Sequence, residues 1–457
     1  MPMFYHLVTL GCQMNISDGE RVESVLEDMG YVRTDREENA DVLGILSCSV
    51  RQKPIDKVYS KIHEWNEWKK KKRLITFISG CILPRDKDAL LKKFDLMFPM
   101  SELSKLPEMI RKQGVVTADG HEEPIRSLPQ NEHIEEFWSI RPQYRSFFEA
   151  YVPIQNGCDK FCTFCAVPYT RGREVSRPSR DVLDQIRDLV ERDYKSITLL
   201  GQNVNSYGKD KAAGEELDFP ALLRQIGELG LRSGKSFWVY FTSPHPWDMS
   251  HEVVQAVADY PHLARQIHLP LQSGDDKILL KMNRKHSIQD YRRIVQDIRQ
   301  TLPGVTLFTD IIVGFTGETE AQFQNTVKAL DEFQFNMAFI AKYSPRPGAA
   351  SYRWEDDIAE DEKKRRLHHL GDVLARHTAR YNAQLKGTQL PALVIGKSRR
   401  QGYLSALTEG KINVRFPSDN PQLIGEFVDL RITSSTDFSL EGEQVTKRQA
   451  NPIHSGT

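Results

Sequence analysis

The sequence predicts an α/β protein built as three successive units: an open parallel sheet, a partial (β/α)6 barrel and a small antiparallel β-barrel. Three observations carry that prediction. Short apolar runs alternate with helical patterns through roughly the first 110 residues, the alternation resumes for six further units after a proline-punctuated break, and beyond Gly387 it gives way to short alternating strands. A chain of 457 residues is too long for one ordinary core, so about two to four domains are expected.

The first unit, residues 1–135, runs strand (6–11), helix (17–29), strand (42–47), helix (54–68) and strand (74–80). That is a βαβαβ pattern, a parallel sheet of the flavodoxin-like kind, with 95–99 as a fourth strand and a helix over 103–111. Ser17 and Asp18 are the expected caps of the first helix, and Pro54 suits a first helical turn. Residues 115–145 are polar and interrupted by Pro124, Pro129 and Pro142, which reads as a linker. The second unit, 145–386, has six β-like runs at 151–156, 196–200, 237–241, 266–271, 306–313 and 336–343. Helical stretches at 179–192, 219–229, 287–301 and 318–333 separate them, the repeat of a partial parallel barrel, and 360–385 reads as a closing helix. In the third unit, 388–457, Ile412, Val414 and Phe416 alternate with Asn413 and Arg415, and Val428, Leu430 and Ile432 with Asp429 and Arg431.

Lys plus Arg and Asp plus Glu both number 62, so the formal net charge is zero and bulk charge does not hold this chain on a polyanion. Any nucleic-acid site is therefore local. The sequence shows neither a secretory signal pattern nor an apolar run of membrane-span length, which predicts a soluble cytoplasmic protein with reduced thiols.

Six cysteines fall into two groups of three. Cys158, Cys162 and Cys165 form C-x3-C-x2-C directly after the first strand of the barrel. Three thiolates from one loop hold three irons of a 4Fe-4S cube and leave the fourth iron open. A structural zinc site takes four protein ligands, and no fourth cysteine or nearby histidine follows. Cys12, Cys48 and Cys81 each follow an apolar run of the N-terminal unit. Strands of a parallel sheet end along one edge, so these three are placed to converge on a second three-thiolate cluster; the competing reading is three buried cysteines acting as small hydrophobes.

These residues carry a resemblance. Gly11-Cys12-Gln13-Met14-Asn15, Cys48-Ser49-Val50-Arg51, Gly80-Cys81 and the run Gly157–Cys165 with Val167–Pro178 resemble the motifs of the methylthiotransferases and, within them, the MiaB-type tRNA enzymes. Leu200–Tyr207, His268–Gly274, Thr309–Phe315 with Gly317–Glu320, and Ser344–Gly348 extend the likeness over nearly the whole chain, and the terminal barrel resembles a TRAM domain. The chain departs from the pattern at Leu46-Ser47, at Ile82-Leu83-Pro84 and at Ser405–Thr408.

The resemblance implies a radical S-adenosylmethionine (SAM) enzyme with two 4Fe-4S clusters that adds a methylthio group to carbon 2 of N6-isopentenyladenosine beside the tRNA anticodon. It further implies a second SAM as methyl donor, sulfur carried at the Cys12/Cys48/Cys81 site, and a low-potential electron donor such as flavodoxin or ferredoxin. A ring C–H of this kind offers no purchase to acid–base or nucleophilic side chains, so the cofactors carry the chemistry. Three other readings stay open: threonylcarbamoyl-adenosine as the substrate, a ribosomal protein aspartate as the substrate, which Gln13-Met14-Asn15 disfavours, and a non-catalytic RNA-binding module with structural zinc.

Gln202, Asn203, Ser243, Gln272, Ser273 and Asp310 lie at or just past predicted strand ends, where barrel sites assemble, and are candidate SAM or substrate contacts; each also reads as a satisfied loop residue. Gly314 and Gly317 would let the adenine of SAM approach backbone. Phe161 and Phe164 stand where they would shield a cluster or fill core. For RNA, Lys397, Arg399 and Arg400 form the best patch of the terminal barrel, which carries eight Lys/Arg against seven Asp/Glu. The runs 69–73 and 363–366 read as solvated basic helix faces.

Overall fold

The computed structural model describes residues 2–48, 52–112, 131 and 133–445. The motif positions Ser49, Val50 and Arg51, most of the 115–145 linker, and Lys447 and Arg448 of the terminal charge count lie outside the described residues.

The first unit is a five-stranded sheet of β1 (Met3–Thr9), β2 (Tyr31–Arg33), β3 (Val42–Cys48), β4 (Ile75–Cys81) and β5 (Leu96–Met97). It is parallel throughout, in the order β2-β1-β3-β4-β5, which is the doubly wound flavodoxin order. Helices α1 (Gln13–Asp28), α2 (Gln52–Lys69) and α3 (Pro84–Leu91) make the crossovers. Every residue of β3 is buried, as a central strand covered on both faces requires. The sequence reading missed β2 because only Tyr31 of its three residues is buried, too little to show a period. The helix expected over 103–111 is instead a 3-10 turn, Met100–Lys105, followed by α4 (Leu106–Arg111). Ile134, Phe137 and Trp138 of α5 (Ile134–Ser139) join the same core.

Ser17 and Asp18 are not caps. Helix α1 begins at Gln13, with the carbonyl of Cys12 accepting from the N–H groups of Asn15 and Ile16, so both residues sit mid-helix and fully buried against the next unit.

The second unit holds six parallel strands in two halves. One half is β6 (Glu149–Pro153), β9 (Ser196–Leu200) and β10 (Trp238–Thr242); the other is β11 (Gln266–His268), β12 (Thr306–Val313) and β13 (Met337–Lys342). A parallel bridge from Val239 to Leu263 joins them, completing the expected partial barrel. Between β6 and β9, β7 (Gln155–Asn156) and β8 (Val175–Ser176) pair antiparallel and close the loop that carries Cys158–Cys165. The helices, in chain order, are α6 (Val167–Arg171), α7 (Ser179–Glu191), α8 (Phe219–Ser233), α9 (His251–Asp259), α10 (Asp276–Lys281), α11 (Ile288–Thr301), α12 (Glu320–Phe333) and α13 (Glu360–Gln384). Capping boxes at Ser287/Asp290 and Thr319/Gln322 start α11 and α12. The run 363–366 is only half solvated. Lys363 and Arg366 are buried and paired with Asp356 (2.5 Å) and Glu318 (2.7 Å), because their face of α13 packs on the barrel.

The third unit closes as β14 (Gln389–Lys397), β15 (Tyr403–Thr408), β16 (Asn413–Pro417), β18 (Ser439–Gln444) and β17 (Phe427–Ser435). It is antiparallel except between β16 and β18, which pair parallel. Val414, Phe416, Leu430 and Ile432 point inward as their alternation predicts. The unit is keyed into the central barrel: Tyr240 Oη donates to Glu409 O (3.0 Å), Thr306 Oγ1 donates to Gly410 O (2.9 Å), Lys411 Nζ lies 4.1 Å from the Tyr240 ring centre, and Trp238 packs on Phe427.

Candidate active site

Two cysteine groups meet where the N-terminal sheet abuts the mouth of the barrel. Cys48 and Cys81 are the last residues of adjacent parallel strands and stand opposite each other in register. Cys12 caps α1 at the end of β1, exposed to solvent. The convergence follows from topology, since parallel strands of similar length deliver their C-terminal residues to one edge.

The second group sits on a loop held from several sides. Gly157 has φ +81°, and a Cβ there would lie 2.0 Å from the carbonyl oxygen of Arg173, so only glycine fits. Its N–H donates to Gln202 Oε1 (2.6 Å), and the N–H of Cys158 donates to Gly172 O (3.3 Å). From the far half of the barrel, Met282 O accepts from Thr163 N–H (3.0 Å), Asn283 Nδ2 donates to Phe161 O (2.9 Å), and Arg284 Nη1 approaches Cys162 Sγ at 3.6 Å.

Arg171 bridges the two groups. It ends α6, just after the cysteine loop, and reaches into the N-terminal unit. Its Nε–H donates to Cys81 Sγ (3.1 Å), Nη2 to Asp18 Oδ2 (2.6 Å) and Asn15 Oδ1 (3.3 Å), and Nη1 to Asn156 Oδ1 (3.3 Å). The cysteine groups are near enough that the charge of Cys81 acts on Cys165.

Burial pushes the thiols of Cys158 and Cys165 up to about 12, with neighbouring loop cysteines adding to it. Cys81 moves the other way, to about 6, through a hydrogen bond from Cys48 and the Arg171 guanidinium, which together outweigh its burial. In the barrel loop burial and mutual repulsion of the thiols thus outweigh the nearby Arg284 guanidinium, a deficit that bound iron would offset. Among the described residues no three Cys, His, Asp or Glu side chains converge on one point as ligands of a single ion do. A four-iron cube instead takes each thiolate at a separate iron.

A buried polar cluster lies beside the loop. His245 and His286 have ring centres 5.9 Å apart, and His245 Nε2, both nitrogens of His286, Arg284 Nε and Asn203 Oδ1 have no hydrogen-bond partner among the described residues. Burial lowers both histidines, His286 to about 3, so both are neutral. Orphaned buried donors and acceptors are costly unless a ligand or water meets them, and they fit a polar cofactor such as SAM. Sequence reasoning missed both histidines and Arg284, which stand singly and share no ligand spacing.

The predicted contacts divide. Gln202 holds Gly157, and Asn203 donates to Asp248 Oδ2 (3.0 Å), which Lys160 of the cysteine loop also reaches (2.6 Å). Gln272 is mostly buried and its N–H donates to Asp310 O; the Asp310 carboxylate stands 3.2 Å from His268. Ser243 is half-buried and close to Thr242 Oγ1 (3.2 Å). Ser273 is fully buried against Thr326, where it braces the 273–275 turn. At Gly314 a Cβ would lie 2.4 Å from Lys363 Cγ, so the lysine stem fills the side of the backbone where a side chain would stand. Lys281 Nζ likewise stands over Gly317. Phe164 packs on Ile278, Met282, Phe315 and Tyr343 as core, while Phe161 lies under Arg173. In the terminal barrel Lys397, Arg399 and Arg400 are exposed, although Arg400 is already stacked on Tyr403 (4.0 Å) and paired with Glu441 (3.3 Å).

Residues 152–330 match the radical SAM superfamily, 4–99 an uncharacterized protein family, UPF0004, and 383–445 the TRAM domain. The chain is 38% identical over 448 residues to a tRNA-2-methylthio-N(6)-dimethylallyladenosine synthase of Geobacter metallireducens, covering 96% of this chain and 97% of that one. It is 37% identical over 454 residues to the enzyme of the same name from Chromobacterium violaceum, covering 97% and 99%. The chain belongs to the tRNA-2-methylthio-N(6)-dimethylallyladenosine synthase family. It is therefore a radical SAM enzyme of the methylthiotransferase group, and the reading of its cysteines as structural zinc ligands of a non-catalytic module falls away. Among solved structures, the radical SAM methyltransferase TsrM of Kitasatospora setae shares the fold with a TM-score of 0.54 at 14% identity, over 93% of this chain and 83% of that one.

Proposed function

We propose that this chain places a methylthio group on carbon 2 of N6-isopentenyladenosine beside the anticodon of tRNA. The observation that supports this most directly is the meeting of two cysteine triads at one domain boundary, bridged by Arg171. Cys158, Cys162 and Cys165 are the ligands assigned to the SAM-binding cluster, and Cys12, Cys48 and Cys81 those of an auxiliary cluster. When bound, the clusters would relay the reducing electron and offer a place for the incoming sulfur, and SAM would supply the radical. The protein's part is to hold, orient and exclude water.

Gly157, Gln202 and Asn283 fix the cysteine loop, and the Lys160–Asp248–Asn203 network ties it to the turn after β10. The neutral His245 and His286 with Arg284 offer hydrogen bonds to a bound cofactor without adding a carboxylate. Target adenine must leave its stack to enter this space, while phosphates are gripped elsewhere, for which the exposed Lys397 and Arg399 of the TRAM barrel are placed. A flavodoxin- or ferredoxin-class electron donor and a cytoplasmic setting belong to the same proposal; no helix among the described residues is long and apolar enough to cross a membrane.

Mass spectrometry of total tRNA nucleosides with and without the gene tests it. The methylthio-isopentenyl nucleoside should vanish on deletion and return on complementation, leaving the unmodified isopentenyl nucleoside in its place. Loss of a threonylcarbamoyl derivative instead, or no change in tRNA, overturns the assignment.

A further inference from the structure

Arg171 belongs to the barrel yet directs hydrogen bonds to Cys81, Asn15 and Asp18 of the other domain, alongside the one to Asn156 of its own. Its side chain is 7% exposed, and the Asp18 carboxylate it meets is fully buried. A planar guanidinium serves Cys81, Asp18, Asn15 and Asn156 at once, which an ammonium on a flexible stem could not do. The orientation is also specific. Asp18 and Asn15 hold the outer nitrogen, so that the inner Nε–H is the one aimed at sulfur.

We propose that Arg171 is a positioning residue that fixes Cys81, and with it the auxiliary cluster, over the mouth of the barrel and sets that cluster's reduction potential. This rests on the two-cluster reading above. An N–H···S bond and a nearby cation both favour the reduced, more negative cluster, so Arg171 raises the potential. Asp18, behind the guanidinium, offsets part of that charge and lowers it. Two residues bonded to each other therefore act on the cluster with opposite sign, a pattern that simple loosening of the domain contact does not produce.

The test uses the full-length chain with Cys158, Cys162 and Cys165 replaced by Ala, reconstituted anaerobically so that only the N-terminal triad holds iron. Its midpoint potential is read by EPR-monitored redox titration in this parent and in Arg171→Gln, Arg171→Lys, Asp18→Asn and the Asp18→Asn/Arg171→Gln pair. Arg171→Gln should shift the potential down, Asp18→Asn up, and the pair should fall below Asp18→Asn alone, with Arg171→Lys restoring part of the loss. The pair removes both buried charges together, so it answers the question if Arg171→Gln alone fails to fold around an unpaired Asp18. Potentials that do not move, or that move the same way in both single variants, overturn it. A parent that binds no iron at all refutes the two-cluster reading itself, a separate failure.

Discussion

Substituting Gly157 by Ala should empty the barrel cluster while sparing the auxiliary one. Three backbone atoms crowd the position where the new Cβ would stand: Arg173 O at 2.0 Å, Arg173 C at 2.5 Å and Gly172 O at 2.7 Å. No rotamer change relieves a clash with backbone, so either the 157–158 or the 172–173 segment must move. Placing an L-residue at φ +81° costs about 1–2 kcal/mol, and the overpacking adds about 1–3 kcal/mol. That sum exceeds what the two bonds at stake, Gly157 N–H to Gln202 and Cys158 N–H to Gly172, return at about 1 kcal/mol each. The loop should therefore yield rather than the fold, and Cys158 moves with it. Anaerobic reconstitution should give about four irons per chain in place of about eight, and 5′-deoxyadenosine formation should be lost with the barrel cluster. Gly214→Ala is the matched control, since Gly214 also has positive φ (+86°) but nothing within 4 Å of its Cβ. Full iron content with normal SAM cleavage in Gly157→Ala would refute the view that this close approach positions Cys158.

The remaining predictions concern other parts of the same machinery. Cys162→Ala should abolish reductive SAM cleavage, whereas Cys48→Ala should still form 5′-deoxyadenosine but no methylthio product; normal product from Cys48→Ala sinks the auxiliary-site assignment. Replacing Lys397, Arg399 and Arg400 together by Ala should weaken tRNA binding and flatten its salt dependence by up to about three phosphate contacts, read by titration at several salt concentrations. Deleting the whole terminal barrel should do more than that and destabilise the central barrel, because it uncovers Trp238 and Tyr240; unfolding measured in the truncated chain should occur at lower temperature. Burial pushes the Glu174 carboxyl up to about 7 from 4.5, so its stabilising contribution is complete below about 4.5 and is lost as pH rises through about 7. In the iron-free chain Glu174→Gln should therefore add stability at pH 8, by at most about 3 kcal/mol, with little effect at pH 4.5; an equal shift in melting temperature at both pH values would contradict the protonation argument.

What the sequence determined by itself was mostly local or periodic. Near-continuous apolar runs placed β9 and β12 at their observed ends, and the 3.6-residue period placed nearly all of α7, α11 and α13, because burial on both faces of a parallel strand or one face of a helix leaves its mark residue by residue. The cysteine loop announced itself through spacing, and parallel topology alone implied that Cys12, Cys48 and Cys81 share an edge. Elements whose burial pattern is short or incomplete, such as β2, went unseen. Tertiary structure alone decided everything that depends on which surfaces meet. Ser17 and Asp18 carry cap chemistry in their composition, but the helix starts earlier and the barrel buries both, pairing Asp18 with an arginine more than 150 residues away in the chain. Lys363 and Arg366 sit in a run that any charge pattern assigns to solvent, yet packing against the barrel buries both with carboxylates. Gly314 is crowded by the stem of Lys363, which lies 49 residues further along the chain. The physical reason is common to all three. A sequence records the periodicity of burial within one element, whereas the pairing of Arg171 with Cys81, or of His245 with His286, is fixed only once separate domains and strand ends have been brought within hydrogen-bonding and ring-contact distance.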